Sequence, residues 1–151
     1  MPEKTISEKN MLKKEPHHQS ITVQNQPAET ETLFQFLLKF ITENRLPDNT
    51  QNDLRLVIEE TFINIVRYGY PDSQSHEIEV KLCHSDNRIE LTFIDTGKAF
   101  NPLTDAEKFN AHNEHSEGGM GIHLIKSLTD NQTYKRTKQT NVFILTKHYT
   151  N

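Results

Sequence analysis

Residues 56–70 read LVIEETFINIVRYGY and carry the most informative pattern of the chain. The apolar residues of this stretch recur every three or four positions, a spacing that predicts a helix running to about Tyr68 with one apolar side. Glu60 and Asn64 lie four residues apart and Arg67 follows one turn later, so all three share one face. A carboxylate can take a proton, an amide oxygen can bind Mg²⁺ and a guanidinium can bind phosphate. Taken alone, this row fits an ordinary solvated helix face more often than a site.

Hydrophobic patterns on both sides of this helix predict a two-layer domain. Alternating apolar and polar residues predict strands, and apolar residues at helical spacing predict helices. In chain order, the predicted elements are a short strand at Ile21 and Val23, helices near 28–44 and 48–68, strands around 78–82 and 89–93, a helix near 120–130, and strands near 132–137 and 141–148. Ser85, Asp86 and Asn87 predict a hairpin turn between the second and third strands. This order predicts an α+β fold, a two-layer sandwich with helices packed on one face of a mostly antiparallel sheet.

Length and composition bound the remaining possibilities. The 151 residues are one domain's worth of chain, and a formal net charge of −4 without a long basic run disfavours binding to nucleic acid or to a membrane surface. No apolar stretch is long enough to span a bilayer and the N-terminus lacks a signal peptide's apolar segment, so we expect a cytoplasmic protein. The single cysteine excludes a disulfide framework. We expect residues 1–20 to be a disordered tail and residues 21–151 to form one domain.

A second motif, Asp95-Thr-Gly97, ends the strand that contains Leu91 and Phe93. An aspartate at a strand end can accept a hydrogen bond from an exocyclic amine, and a glycine beside it lets a flat ring approach the backbone. Asp-x-Gly is also a common turn, and the motif alone favours that interpretation.

A third motif, Glu117-Gly-Gly-Met-Gly-Ile122, opens the predicted helix near 120–130. Glycines ahead of a helix expose backbone N–H groups at the positive end of the helix dipole, where phosphate binds. The motif lacks the Lys-Ser/Thr of a P-loop and does not match the dinucleotide-binding fingerprint. By itself it fits a flexible helix entry equally well. The long polar stretch between the second and third motifs is typical of a lid.

The three motifs together, in this order, resemble the GHKL ATP-binding superfamily with the Bergerat fold. Within that superfamily, the chain resembles anti-sigma-factor serine kinases of the RsbW and SpoIIAB type. Residues 56–70 resemble the N box, residues 93–102 (FIDTGKAFNP) the G1 box and residues 116–122 (SEGGMGI) the G2 box. The resemblance covers about residues 20–150 and therefore implies that the predicted domain is an ATP-binding domain.

The resemblance implies a role for each site residue. Asn64 would bind the Mg²⁺ that bridges the ATP phosphates, Glu60 would be the general base toward a partner's serine, and Arg67 would contact phosphate. Asp95 would bond the adenine amino group, with Gly97 beside the ring. The cofactor-binding segment at the start of the last helix, whose glycines would cradle the phosphates, comprises Gly118, Gly119, Met120 and Gly121.

The sequence departs from the family pattern at three places. Tyr68 stands where the family usually has histidine. Gln139-Thr-Asn-Val142 stands where the family commonly carries a Gly-Thr pair near the adenine, so no adenine-side threonine is predicted. Residues 103–117, which would be the ATP lid, are acidic and rich in histidine and show no evident arginine for the γ-phosphate.

The resemblance implies an ATP- and Mg²⁺-dependent protein serine kinase that sequesters a sigma factor and phosphorylates an anti-anti-sigma partner. It also implies a homodimer. The departures leave two alternatives open. One is a nucleotide-gated protein-binding module in which Glu60 no longer supports phosphotransfer, and the other is a histidine-kinase-like ATPase subunit that acts in trans on another chain.

Overall fold

A single antiparallel sheet carries three helices in the computed structural model, which describes residues 17–72, 74–105 and 119–150. The strands are β1 (His17–Gln24), β2 (Glu77–Ser85), β3 (Arg88–Asp95), β4 (Asn131–Thr137) and β5 (Thr140–His148). The helices are α1 (Thr30–Glu43), which follows a 3-10 turn at Pro27–Glu29, α2 (Asp48–Gly69) and α3 (Gly119–Leu128). The spatial order of the strands is β1-β2-β3-β5-β4. This arrangement confirms the predicted α+β fold.

The hydrophobic core lies between the sheet and the helices. Side chains alternate between the two faces of a strand, and one face of β2 and β3 is fully buried. The buried residues of that face are Ile78, Val80, Leu82, Ile89, Leu91 and Phe93. They form one cluster with apolar residues of all three helices, among them Leu37, Phe62 and Ile125. Within the residues that the structure describes, no helix is long and apolar enough to cross a bilayer.

Helix α2 occupies the centre of the helical layer, because it packs against both α1 and α3. The end of β3 lies beneath the helical layer. Asp95, the last residue of β3, pairs with Ile78 on one side and with Asn141 of β5 on the other. Asp95 and Asn141 are each 4% exposed, so both polar side chains are buried on the helical side of the sheet.

Strand β1 is longer than the sequence predicts. It begins at His17, and residues 17–20 pair with residues 81–84 of β2. The prediction that the disordered tail extends to residue 20 is therefore wrong for its last four residues, while residues 1–16 lie outside the described part of the chain. Polar residues join the sheet here because backbone hydrogen bonding to β2 requires no apolar side chain.

The predicted hairpin between β2 and β3 is confirmed. Asp86 and Asn87 have φ angles of 50° and 59°, the left-handed values that a two-residue hairpin turn requires. Both residue types tolerate this conformation better than most, because their short polar side chains bond locally.

Candidate functional site

The first motif places Glu60 of α2 against the first turn of α3. A Cβ atom built on Gly121 would lie 3.2 Å from the carboxyl carbon of Glu60, so the carboxylate lies directly against this glycine. Glu60 is half-buried, whereas its neighbour Glu59 is exposed. The carboxylate of Glu60, and not that of Glu59, therefore reaches the end of α3 where the helix dipole favours negative charge.

Asn64 lies one turn further along α2 and is 2% exposed. Its Nδ2 atom is buried and has no hydrogen-bond partner among the described residues. An unpaired buried amide costs roughly 1–3 kcal/mol, so such a group is expected where a ligand supplies the missing partner. The amide can turn about its last bond, which allows either the oxygen or the nitrogen to meet that ligand.

Arg67 lies at the exposed end of the same row. Its guanidinium carbon is 6.0 Å from the centroid of the Tyr68 ring. The Tyr68 ring in turn lies 5.0 Å from the Phe100 ring, measured between centroids. Tyr68 therefore packs on the segment that follows the second motif. Contact between Arg67 and phosphate stays a prediction.

In the second motif, the Asp95 carboxylate is held through one oxygen. Oδ1 accepts hydrogen bonds from the backbone N–H of Gly97 at 2.9 Å, from Nδ2 of Asn141 at 2.9 Å and from the hydroxyl of Tyr70 at 3.4 Å. Every hydrogen bond that the side chain of Asp95 accepts from the described residues ends on Oδ1. The other oxygen, Oδ2, is thus the one left for a ligand.

Tyr70 donates to this carboxylate in its neutral form. Burial of the hydroxyl, and then the negative charge of Asp95, raise the pKa of Tyr70 from 10.0 to about 12. The hydroxyl therefore keeps its proton throughout the physiological pH range and remains a donor to Asp95.

Gly97 is required by packing within the chain. A Cβ atom at this position would lie 2.6 Å from the carbonyl oxygen of Gly69 and 3.0 Å from Cζ of Tyr70. The loop after β3 also bonds to the end of α2, because the Lys98 N–H donates to the same Gly69 oxygen at 2.7 Å. The sequence predicted a glycine that admits a ring, and the structure adds this contact with α2 as a separate reason for glycine.

Asn141 is a site residue that the sequence did not predict. Besides bonding Asp95, its Nδ2 lies 3.3 Å from the carbonyl oxygen of Gly97 and 3.0 Å from that of Lys98. Asn141 belongs to the segment where the family pattern has a Gly-Thr pair. This position in the family pattern was the one feature of the sequence that could have indicated Asn141 as a site residue. The strand register, which pairs Asn141 with Asp95, is what identifies it.

A cavity of about 320 Å³ lies where the end of α2 meets the loop after β3. Its lining includes Gly69, Tyr70, Gly97, Lys98 and Arg136. The cavity adjoins the hydrogen bonds around Asp95, but neither Asp95 nor Asn64 lines it.

The third motif is described only in part. Gly119 and Met120 begin α3 and Gly121 follows them, which confirms that a helix starts at the glycine-rich segment. Gly118 and residues 106–117 of the predicted lid lie outside the described residues, as does the Met120 side chain. The predicted cradle for phosphates therefore stays a prediction, although Glu60 and Gly121 do bring the first and third motifs together.

The chain matches a known family of domains. The family described as the histidine kinase-like ATPase domain matches residues 23–147. The match covers most of the chain, from the end of β1 nearly to the end of β5. The chain therefore belongs to the histidine kinase-like ATPase family. The resemblance inferred from the three motifs is confirmed.

More particularly, the chain is similar to proteins named serine-protein kinase RsbW. The protein of that name from Oceanobacillus iheyensis is 31% identical over 107 residues, which cover 64% of each chain. The one from Bacillus subtilis (strain 168) is 25% identical over 87 residues, which cover 52% of each chain. The chain thus spans between about half and two thirds of the length of these relatives.

Proposed function

We propose that this protein binds ATP with Mg²⁺ and phosphorylates a serine of a partner protein. The observation that carries the proposal is the contact of Glu60 with the first turn of α3, one helical turn from the buried amide of Asn64. A proton acceptor, an unpaired amide and a helix N-terminus thus lie close together. Phosphoryl transfer depends on such positioning and charge more than on covalent chemistry. The similarity to serine-protein kinases supports the same activity.

The residues of the site fit a nucleotide laid along α2. Asp95 would accept a hydrogen bond from the adenine amino group through Oδ2, with Gly97 beside the ring. Asn64 would ligate Mg²⁺ through its amide oxygen. The atom without a partner among the described residues is the nitrogen, so the amide would turn about its last bond to present the oxygen to the ion. Bound Mg²⁺ would neutralise charge on the phosphate oxygens.

The phosphates would lie at the start of α3. Their binding groups would be the backbone N–H groups of Gly118, Gly119, Met120 and Gly121, with the side chain of Arg67 as a further contact. Glu60 would take the proton that a serine hydroxyl loses during transfer.

The proposal extends to a biological setting, which follows from the resemblance to anti-sigma kinases. The protein would act in the cytoplasm as a homodimer, sequester a sigma factor, and release it when an unphosphorylated anti-anti-sigma protein competes for binding. Phosphorylation of that competitor on serine would restore the complex with the sigma factor.

Glu60→Gln tests the assignment of the general base. We expect the rate of phosphate transfer to a single-domain anti-anti-sigma protein of the same organism to fall roughly 10²- to 10⁴-fold. The affinity for ATP, measured by calorimetry, should change little, because the amide is nearly isosteric with the carboxylate. Glu59→Gln is the matched control, since Glu59 is exposed on the adjacent position of the same helix. An undiminished rate in Glu60→Gln would refute the assignment.

The same assay separates the alternatives. Acid-stable phosphoserine on the partner supports the serine kinase, whereas acid-labile phosphohistidine would indicate a histidine-kinase-like subunit acting in trans. ATP binding without transfer to any partner would indicate a nucleotide-gated binding module.

A further inference from the structure

Asn141 is clamped by two side chains of β4. The hydroxyl of Tyr134 donates to its Oδ1 at 2.5 Å, and Nη1 of Arg136 donates to the same oxygen at 3.0 Å. Arginine can only donate hydrogen bonds, so the oxygen of the Asn141 amide must face Arg136 and the nitrogen must face Asp95. The orientation of this buried amide is thereby determined.

Arg136 also holds the loop that follows Asp95. Its Nη1 donates to the carbonyl oxygen of Gly97 at 2.7 Å, and its Nε donates to the carbonyl oxygen of Lys138 at 3.1 Å. One guanidinium therefore connects the β4–β5 turn, the Asn141 amide and the loop beside Asp95. Moving any of these groups would move the others.

The clamp fixes the direction of the Asp95 carboxylate. The donors from Asn141 and from the Gly97 backbone both meet Oδ1, at 2.9 Å each. The two oxygens of a carboxylate are equivalent, so the fixed amide of Asn141 sets the plane of the group, with one oxygen always facing the amide nitrogen. Oδ2 is then held in one direction as a hydrogen-bond acceptor with no donor among the described residues.

We propose that Asn141, held by Tyr134 and Arg136, is a positioning residue that makes the site selective for purines with an amino group at C6. This inference rests on the proposed function, namely nucleotide binding at Asp95. A fixed carboxylate oxygen accepts a hydrogen bond from a 6-amino group but faces the oxygen of a 6-oxo purine as a second acceptor. Once the clamp is removed, the carboxylate can rotate or admit water, and a 6-oxo purine is rejected less strongly.

The test compares the dissociation constants of ATP and inosine 5′-triphosphate, measured by calorimetry with Mg²⁺. A hydrogen bond to a charged group corresponds to roughly a 10- to 100-fold preference, which we expect the wild type to show for ATP. Asn141→Ala and Arg136→Met should each reduce this preference about tenfold. Arg88→Met is the matched control, because Arg88 is exposed at the opposite end of β3, and it should keep the full preference.

Tyr134→Phe provides a milder test that removes one hydrogen bond and leaves the ring in place. We expect it to reduce the preference for ATP about threefold while the thermal unfolding midpoint stays near that of the wild type. If the variants weaken both nucleotides by the same factor, Asn141 is only structural and the inference is overturned. If the wild type binds neither nucleotide, the proposed function falls together with the inference, whereas a preference that survives in every variant overturns the inference alone.

Discussion

The two ends of the candidate site differ in whether their buried polar groups have hydrogen-bond partners. At the Asp95 end, one carboxylate oxygen accepts hydrogen bonds from Gly97, Asn141 and Tyr70. At the Asn64 end, the amide nitrogen is buried without a partner in the described part of the chain, and so is the hydroxyl of Thr61 one turn earlier. Each unpaired group costs roughly 1–3 kcal/mol. The fold thus builds the first end before any ligand arrives, whereas it leaves the second end unsatisfied.

Gly97→Ala should have the largest effect, because it breaks the prebuilt end. The new Cβ would meet a backbone oxygen, that of Gly69, at 2.6 Å, and backbone cannot move aside as a side chain can. We expect the free energy of unfolding, measured with urea, to fall by about 3 kcal/mol. Affinity for ATP should fall as well, since the same Cβ would lie 3.1 Å from Oδ1 of Asp95.

Gly69→Ala is the control for that variant. A Cβ at Gly69 meets only Ile65 Cγ2, at 4.0 Å, and the φ angle of Gly69 is not positive. Alanine should therefore be tolerated and should stabilise the end of α2 by up to about 1 kcal/mol. Equal losses of stability in the two variants would contradict the close approach of the Gly97 loop to α2.

The pH dependence of the free energy of unfolding tests the contribution of Tyr70 at the Asp95 end. The unfolded chain releases the Tyr70 proton near pH 10, whereas the folded chain keeps it to about pH 12. The folded state binds more protons in this interval, so the contribution of Tyr70 is intact below pH 10 and is lost as the pH rises toward 12. We expect a loss of about 2 kcal/mol across the interval. Tyr70→Phe should lack this loss, and urea unfolding of both proteins at several pH values measures it.

A constant difference between the wild type and Tyr70→Phe from pH 9 to pH 12 would show that the hydroxyl is not held neutral by burial and by Asp95. Every other titratable group is common to the two proteins. The difference between the two curves is therefore the quantity to compare.

The smallest changes in the stability of the ligand-free protein are expected at the Asn64 end. Asn64→Leu removes the unpaired amide and should stabilise the ligand-free protein by about 1 kcal/mol. The same change should abolish the rise in thermal unfolding midpoint that ATP with Mg²⁺ produces. Thr61→Val removes the other unpaired group at similar volume, so it should give a similar gain and keep the response to ATP. Destabilisation by both variants would show that these polar groups are satisfied in solution.

The sequence predicted most of the fold because the decisive patterns are local. Alternation in β2 and β3 and helical spacing in α1 and α2 identified the elements, and Asp86 and Asn87 identified the hairpin turn. The start of β1 at His17 was missed, because the first residues of this strand are polar and join the sheet only through backbone pairing with β2.

The site was also predicted where its residues are close in sequence and missed where they are distant. Glu60 and Asn64 lie on one helix, and Asp95 and Gly97 lie two residues apart at the end of β3, so their spacing along the chain was sufficient to group them. Asn141 is 46 residues from Asp95, and no local pattern connects the two.

Local patterns of the sequence were enough to identify the class of domain and the two separate groups of site residues, since helix periodicity and short motifs depend on neighbouring residues. How those groups meet depends on the packing of the folded chain. Packing of α2 against α3 brings Glu60 to Gly121, and the register of β3 with β5 brings Asn141 to Asp95. Both contacts join distant segments, and their geometry is set by how the whole core packs.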